Sequence, residues 1–274
     1  MAEPKTDEES ELEKSRMPLL DHLIELRDRL MKGFAAIALG FIACYFFAGE
    51  IYTFLTKPLA DALGPDSGRR MIFTALTEAF FTHLKLAFWA SVCVTFPIVA
   101  GQVWAFVAPG LYRSERKAFL PFLVATPVLF LMGGALVYYV VMPLAWRFFL
   151  SFETPGGDGA LPIQLEAKVN EYLSLVMTLI LAFGLAFQMP VLLTLLARVG
   201  IISSQALKEK RRYAILGITV FSAVVTPPDA ISMLTLMGPM LILYELSIWS
   251  ARWAEKSRER AEAAEQAAAG TGST

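Results

Sequence analysis

The sequence predicts an all-α, polytopic integral membrane protein with six transmembrane helices, the last two short, and both termini in the cytoplasm. Three observations carry this prediction: an excess of apolar residues, the lengths of the apolar runs, and an alternation of basic and poorly basic loops. Of the 274 residues 56% are hydrophobic, with 20 Phe and a mean hydropathy of +0.54. A soluble core of this length cannot hide that much apolar surface, so lipid must serve as solvent.

A crossing helix needs about 20 predominantly apolar residues. Spans are therefore predicted over residues 30–47, 80–107, 119–149, 172–197, 213–225 and 231–249, within a membrane domain covering 17–250. The fifth is short and is stopped by the two prolines of TPPD (residues 226–229). The first 16 residues are charged and read as a disordered cytoplasmic tail rather than a cleaved leader, because they lack an apolar core. Residues 251–274 read as a second cytoplasmic tail, a frayed helix running out into AAAGTGST.

Charge sets the orientation. Although the net charge is only −1, residues 1–32 carry six Lys and Arg, 108–118 three, 198–212 five and 252–260 four. The longer loops 49–79 and 147–170 carry three and two, and the TPPD turn none. Basic residues mark the cytoplasmic side, so alternate loops face the cytoplasm. A re-entrant hairpin formed by the last two apolar runs would leave the same flanks inside, and charge does not separate it from two true crossings.

Several classes of chemistry are missing. The chain has no P-loop, HExxH or GxSxG pattern, and its histidines, His22 and His83, lie in different flanks. Cys44 and Cys93 both sit in apolar runs without disulfide or metal-ligand spacing. No enzyme, cofactor, metal or nucleic-acid partner is expected. Glu78, His83 and Lys85 at the start of the second span form a polar group that reads either as functional or as an interfacial helix end.

HLIELRDRL (residues 22–30) places carboxylates directly before the first span. On a helix Leu19, Leu23, Leu26 and Leu30 form one stripe with Asp21, Glu25 and Asp28 opposite, the pattern of a segment lying on the membrane surface. Glu25 and Arg29, four apart, could simply pair. Yet Glu115, in LYRSERKAF, is also a lone acid in a basic cytoplasmic loop. Two such carboxylates suggest a cationic ligand.

HLIELRDRL, KPL (57–59), QVWAFVAPGLYRSER (102–116) and TPPD occur in an order that resembles the TatC family, the polytopic subunit of twin-arginine protein translocases. The resemblance implies a receptor in the bacterial cytoplasmic membrane for signal peptides bearing paired arginines. It further implies export of folded proteins by the proton-motive force, with single-span TatA/TatB-like subunits, in a larger complex that holds several copies. By the family pattern Glu25 and Glu115 are the recognition acids, Arg27 and Phe106 orient the site, and Pro58 holds the scaffold. A carboxylate accepts the planar guanidinium fork through two bonds, which explains a preference for arginine over lysine. Gln188 stands where the family usually has an acid, and it cannot carry charge or release a proton. Gln188, Thr219, Ser222, Thr226 and Asp229 read either as internal packing or as contacts to a partner helix. A secondary transporter of a small solute is the alternative class; it would need facing charged groups within the spans, which are sparse here.

Overall fold

A computed structural model describes residues 7–64, 68–107, 120–157, 161–226 and 230–271, with the side chains of 7–19, 21, 107, 120, 121, 199, 231, 258 and 261–271 left aside. Its regular structure is helical: α1 Asp7–Phe46, α2 Ala48–Leu63, α3 Glu78–Val107, α4 Leu120–Leu136, α5 Met142–Leu150, α6 Val169–Ala186, α7 Met189–Val199, α8 Ser204–Glu209, α9 Arg211–Val225 and α10 Ala230–Thr271. A π-helical turn, Val137–Val141, joins α4 to α5 without a break.

Five stretches are long and apolar enough to cross a bilayer: His22–Phe46, Glu78–Phe106, Phe122–Leu150, Val169–Arg198 and Ser232–Ser257. The fifth predicted span corresponds to α9, whose 15 residues reach only about 22 Å against a hydrocarbon core of about 30 Å. The last helix is not short, as expected from sequence, but runs for 42 residues through the segment read as a fraying tail. Likewise α1 begins at Asp7, inside the segment read as disordered, and residues 19–32 continue its axis instead of forming a separate surface helix. Nothing in 19–32 breaks a helix, so the chain has no reason to turn there.

The predicted fourth span is two helices. Pro190 has no N–H for the carbonyl four residues back, and the chain breaks between Ala186 and Met189, with Phe187 and Gln188 at the joint. Residues 49–79, read as a loop, contain α2. Its Pro58 lies inside the helix, where a proline leaves earlier carbonyls without their usual partner. Tyr138 takes over at the carbonyl four residues back, donating to Phe54 at 3.0 Å, and Tyr172 donates to the neighbouring Leu55 carbonyl at 2.7 Å.

The core lies where α2, the π-helical turn, α5, α6 and α10 meet, around Leu59, Val137, Met142, Leu173, Phe183 and Leu236, all almost fully buried. Helix α1 stays outside it, laid along α3. Gly40 brings the two backbones close, since a Cβ there would stand 2.6 Å from Thr95 Cγ2, and Ser91 donates to the Ile37 carbonyl across the contact. Glycine also sets the α4 to α6 contact, where a Cβ on Gly133 would meet the Phe183 carbonyl oxygen at 2.6 Å. Only 11% of the most apolar window in the first crossing stretch is buried by protein, against 28%, 33% and 50% in the next three. The crossing helices thus grow more enclosed along the chain up to α6 and α7.

At the end where α1 stops, the α2 to α3 and α5 to α6 connections are tied together. Arg69 grips Glu153 with two bonds of 2.6 and 2.8 Å, and Glu153 also accepts from the Leu165 N–H at 2.9 Å. Ile72 exchanges backbone bonds with Ala167 and Val169, both at 3.0 Å. The paired guanidinium and backbone N–H hold the Glu153 carboxyl below the usual carboxylate range, while Glu153 raises Arg69.

Candidate functional site

At the opposite end, the N-terminal part of α1 meets the C-terminal part of α3. His22 stacks on Phe106 with ring centroids 4.3 Å apart and an interplanar angle of 20°. One helical turn further, Glu25 accepts from Arg29 Nη2 at 3.3 Å, and Arg29 Nη1 reaches Gln102 Oε1 at 3.4 Å. Both members of the pair are about one-third exposed, 33% for Glu25 and 32% for Arg29. These bonds are long and single, so much of the acceptor capacity of the Glu25 carboxylate is unused.

Below this pair an apolar groove of about 650 Å³ opens between the helices, walled by Leu30, Phe34, Ile37, Val99, Val103 and Phe106. A carboxylate at the mouth of a greasy groove can take a cationic group while the groove takes an apolar neighbour on the same ligand. The interior strengthens a charge-assisted bond because water is partly excluded from it.

Arg27 stands apart from this arrangement. It is 70% exposed and directs Nε and Nη2 at Asp28 Oδ1, 3.0 and 2.9 Å away. Arg29 and Gln102, rather than Arg27, stand beside Glu25. The signal was available, since Glu25 and Arg29 are four apart on a helix, but the pairing of His22 with Phe106 and of Arg29 with Gln102, each from α1 to α3, is a long-range fact. Glu115 and Asp229 lie outside the described residues.

The other predicted positions are dispersed. Pro58 is buried in α2 at the far end of the molecule. Gln188, 8% exposed, donates Nε2 to the Thr126 carbonyl at 2.9 Å and so ties the α6 to α7 joint to α4, while its Oε1 has no partner among the described residues. Thr126 in turn accepts from Trp104 Nε1 at 3.0 Å, which extends the link to α3. Ser222 and Thr226 are buried, and Thr226 bonds back to the Ser222 carbonyl, so both face their own fold. Half-buried Thr219 donates to the Ile215 carbonyl at 2.8 Å and touches Met237 Sδ. Nor do Glu78, His83 and Lys85 form one group. Glu78 accepts from the Thr74 and Ala75 N–H groups, His83 faces the Ala79 carbonyl and stacks on Tyr52, and Lys85 reaches Asn170 and Ser174.

The profile described as Sec-independent protein translocase protein (TatC) matches residues 21–239. The chain belongs to the TatC family. The Sec-independent protein translocase protein TatC of Magnetococcus marinus is 48% identical over 252 residues, which span 92% of this chain and 90% of that protein. Its counterpart in Rickettsia prowazekii is 44% identical over 238 residues, 87% of this chain and 94% of that one. A crystal structure described as the twin-arginine translocase receptor TatC superposes with a TM-score of 0.71 at 32% identity, covering 85% of this chain and 99% of that one. As a TatC-family member the protein is a membrane-embedded translocase subunit and not an enzyme. Within the family, Glu25 and Phe106 lie in the matched region and belong to the same corner of the fold.

Proposed function

We propose that the protein is the receptor for signal peptides bearing paired arginines. It exports folded proteins by the proton-motive force together with single-span TatA/TatB-like subunits. The observation that carries this reading is Glu25, a carboxylate about one-third exposed and held by one long bond to Arg29, which itself lines an apolar groove. An incoming guanidinium can offer two bonds where Arg29 offers one, and an ammonium cannot match that fork. Glu115 is the second reader in this proposal, which accounts for a requirement for two arginines. Six crossings with both termini cytoplasmic put both acids on the side from which precursors arrive.

Site-specific photocrosslinking of a twin-arginine precursor to membranes carrying each variant at matched protein level tests the assignment. Glu25→Gln and Glu115→Gln should each weaken capture by about 1 kcal/mol if water screens the pair and by about 2–5 kcal/mol if it is desolvated. Glu25→Arg and Glu115→Arg should weaken it most. Undiminished crosslinking by both Glu→Arg variants would remove the receptor reading. Orientation is checked by single cysteines in a background lacking Cys44 and Cys93: those at Asp66, Gly157 and Asp229 should label from outside, and one at Lys208 should not.

A further inference from the structure

At the end of the molecule opposite Glu25, α2 and the stretch where α4 passes through its π-helical turn into α5 enclose a cavity of about 460 Å³. Phe54, Tyr138 and Tyr139 supply aromatic wall, and Lys57, Asp61 and Arg147 supply charge. The cations come from different elements, Lys57 from α2 and Arg147 from α5. Among the described residues neither side chain enters an ion pair or a hydrogen bond. Asp61 is the one acid among the described residues of the wall, and it pairs with neither cation.

Loops 49–79 and 147–170 are poor in Lys and Arg, so a meeting of two of their cations at one cavity needs a reason. Arg69, a third, is already neutralised by Glu153. Lys57 and Arg147 face the cavity, and with Asp61 they give its described wall one positive charge in excess. The rim is apolar and exposed: Phe54 and Tyr139 are 53% and 71% exposed. A ligand that fits must bring one net negative charge on a compact polar group and carry hydrocarbon beside it.

We propose that this cavity binds the phosphate of an anionic phospholipid headgroup, with Lys57 and Arg147 donating to the phosphate and Phe54 and Tyr139 lying along the acyl chains. Guanidinium and ammonium are both strong phosphate donors, and the net charge of a phosphoglycerol headgroup matches the excess on the wall. A zwitterionic headgroup would leave that excess standing. Asp61 opposes the headgroup charge and lowers affinity, which keeps the lipid exchangeable.

The test is native mass spectrometry of the full chain released from detergent micelles doped with dioleoylphosphatidylglycerol or dioleoylphosphatidylethanolamine. The wild type should retain phosphatidylglycerol in preference to phosphatidylethanolamine. Lys57→Gln and Arg147→Gln should each reduce that retention about fivefold, and the double variant more than tenfold. Lys168→Gln, a surface cation of the same end, should not change it. Asp61→Asn should raise retention, a gain that a misfolded chain would not show. Glycerol 1-phosphate at matched concentration should not displace the lipid; displacement would overturn the lipid assignment in favour of a soluble phosphate ester. Equal retention of the two lipids by the wild type, or unchanged retention by the double variant, would overturn the site.

Discussion

The hydroxyl of Tyr138 donates to the carbonyl of Phe54 at 3.0 Å, and Phe54 lies four residues before Pro58, at the place where a proline N–H is missing. A side chain from the π-helical turn thus completes a helix it does not belong to. Its ring also stacks on Phe54 at 4.4 Å and 1°. Tyr138→Phe should destabilise the protein in detergent by about 0.5–1.5 kcal/mol. In a Pro58→Ala background the new N–H satisfies the same carbonyl, so the loss should shrink toward zero. Thermal unfolding of the four proteins completes the cycle, and equal losses in both backgrounds would show that the bond is incidental. Tyr172→Phe removes the bond to the Leu55 carbonyl and should cost about 0.5–1.5 kcal/mol.

Gly133 and Gly134 are adjacent but not equivalent. A Cβ on Gly133 would sit 2.6 Å from a backbone oxygen of α6, whereas one on Gly134 would meet only Ile180 Cγ2 at 3.5 Å, an ordinary contact. Gly133→Ala should lower stability by about 1–3 kcal/mol by forcing α4 and α6 apart. Gly134→Ala should be within about 0.5 kcal/mol of wild type. The melting temperatures of the two purified variants settle the matter.

Arg29, not Arg27, is the resident partner of Glu25. Replacing it should free the carboxylate for a precursor arginine, so Arg29→Gln is expected to strengthen precursor crosslinking about two- to fivefold, the reciprocal of a half-exposed pair. Arg27→Gln, which loses only its exposed contact with Asp28, should leave crosslinking unchanged. If Arg27→Gln proved the more damaging, the orienting role implied by the family pattern would stand and the competition by Arg29 would fall.

The Arg69 to Glu153 clasp carries a pH signature. Because the folded state holds the Glu153 carboxyl below its unfolded value, its stabilisation is present above that unfolded value and is lost as pH falls through the depressed one. The clasp should therefore hold at neutral pH and loosen only under acid conditions, below about pH 4. Amide exchange at Leu165, whose N–H is bound to Glu153, should accelerate there relative to its intrinsic rate. Glu153→Gln should remove the acid-dependent step.

Much of the fold is legible in the sequence because hydropathy alone marks long apolar runs, and the limits of α3 and α4 to α5 follow it closely. Helix α2 was not legible, since its run is interrupted by Lys57, Pro58 and Asp61 and its helicity depends on tyrosines from α6 and the π-helical turn. The break before Met189 was written in Pro190, yet apolar content masked it. At the site, the acid Glu25 could be singled out from its setting, and its Arg29 neighbour from helical spacing. What spacing could not supply is which arginine turns inward, or that Gln102 and Phe106 arrive from α3, more than 70 residues away along the chain. The burial of Ser222 and Thr226 was equally out of reach, because a polar residue on a short helix reads the same facing a neighbour or facing lipid.

The rise in enclosure along the chain, from 11% in the first crossing stretch to 50% in the fourth, has a meaning for biosynthesis. The segment that leaves the ribosome first is the one whose surface is already suited to lipid, and it can wait in the bilayer without a companion. The α6 to α7 segment carries Gln188, whose amide finds its acceptor on α4, and it emerges only after that acceptor has been made. For this amide the order of synthesis and the need for a neighbour run in the same direction, whereas Lys85 and Trp104 of α3 wait for partners on α6 and α4 that emerge later.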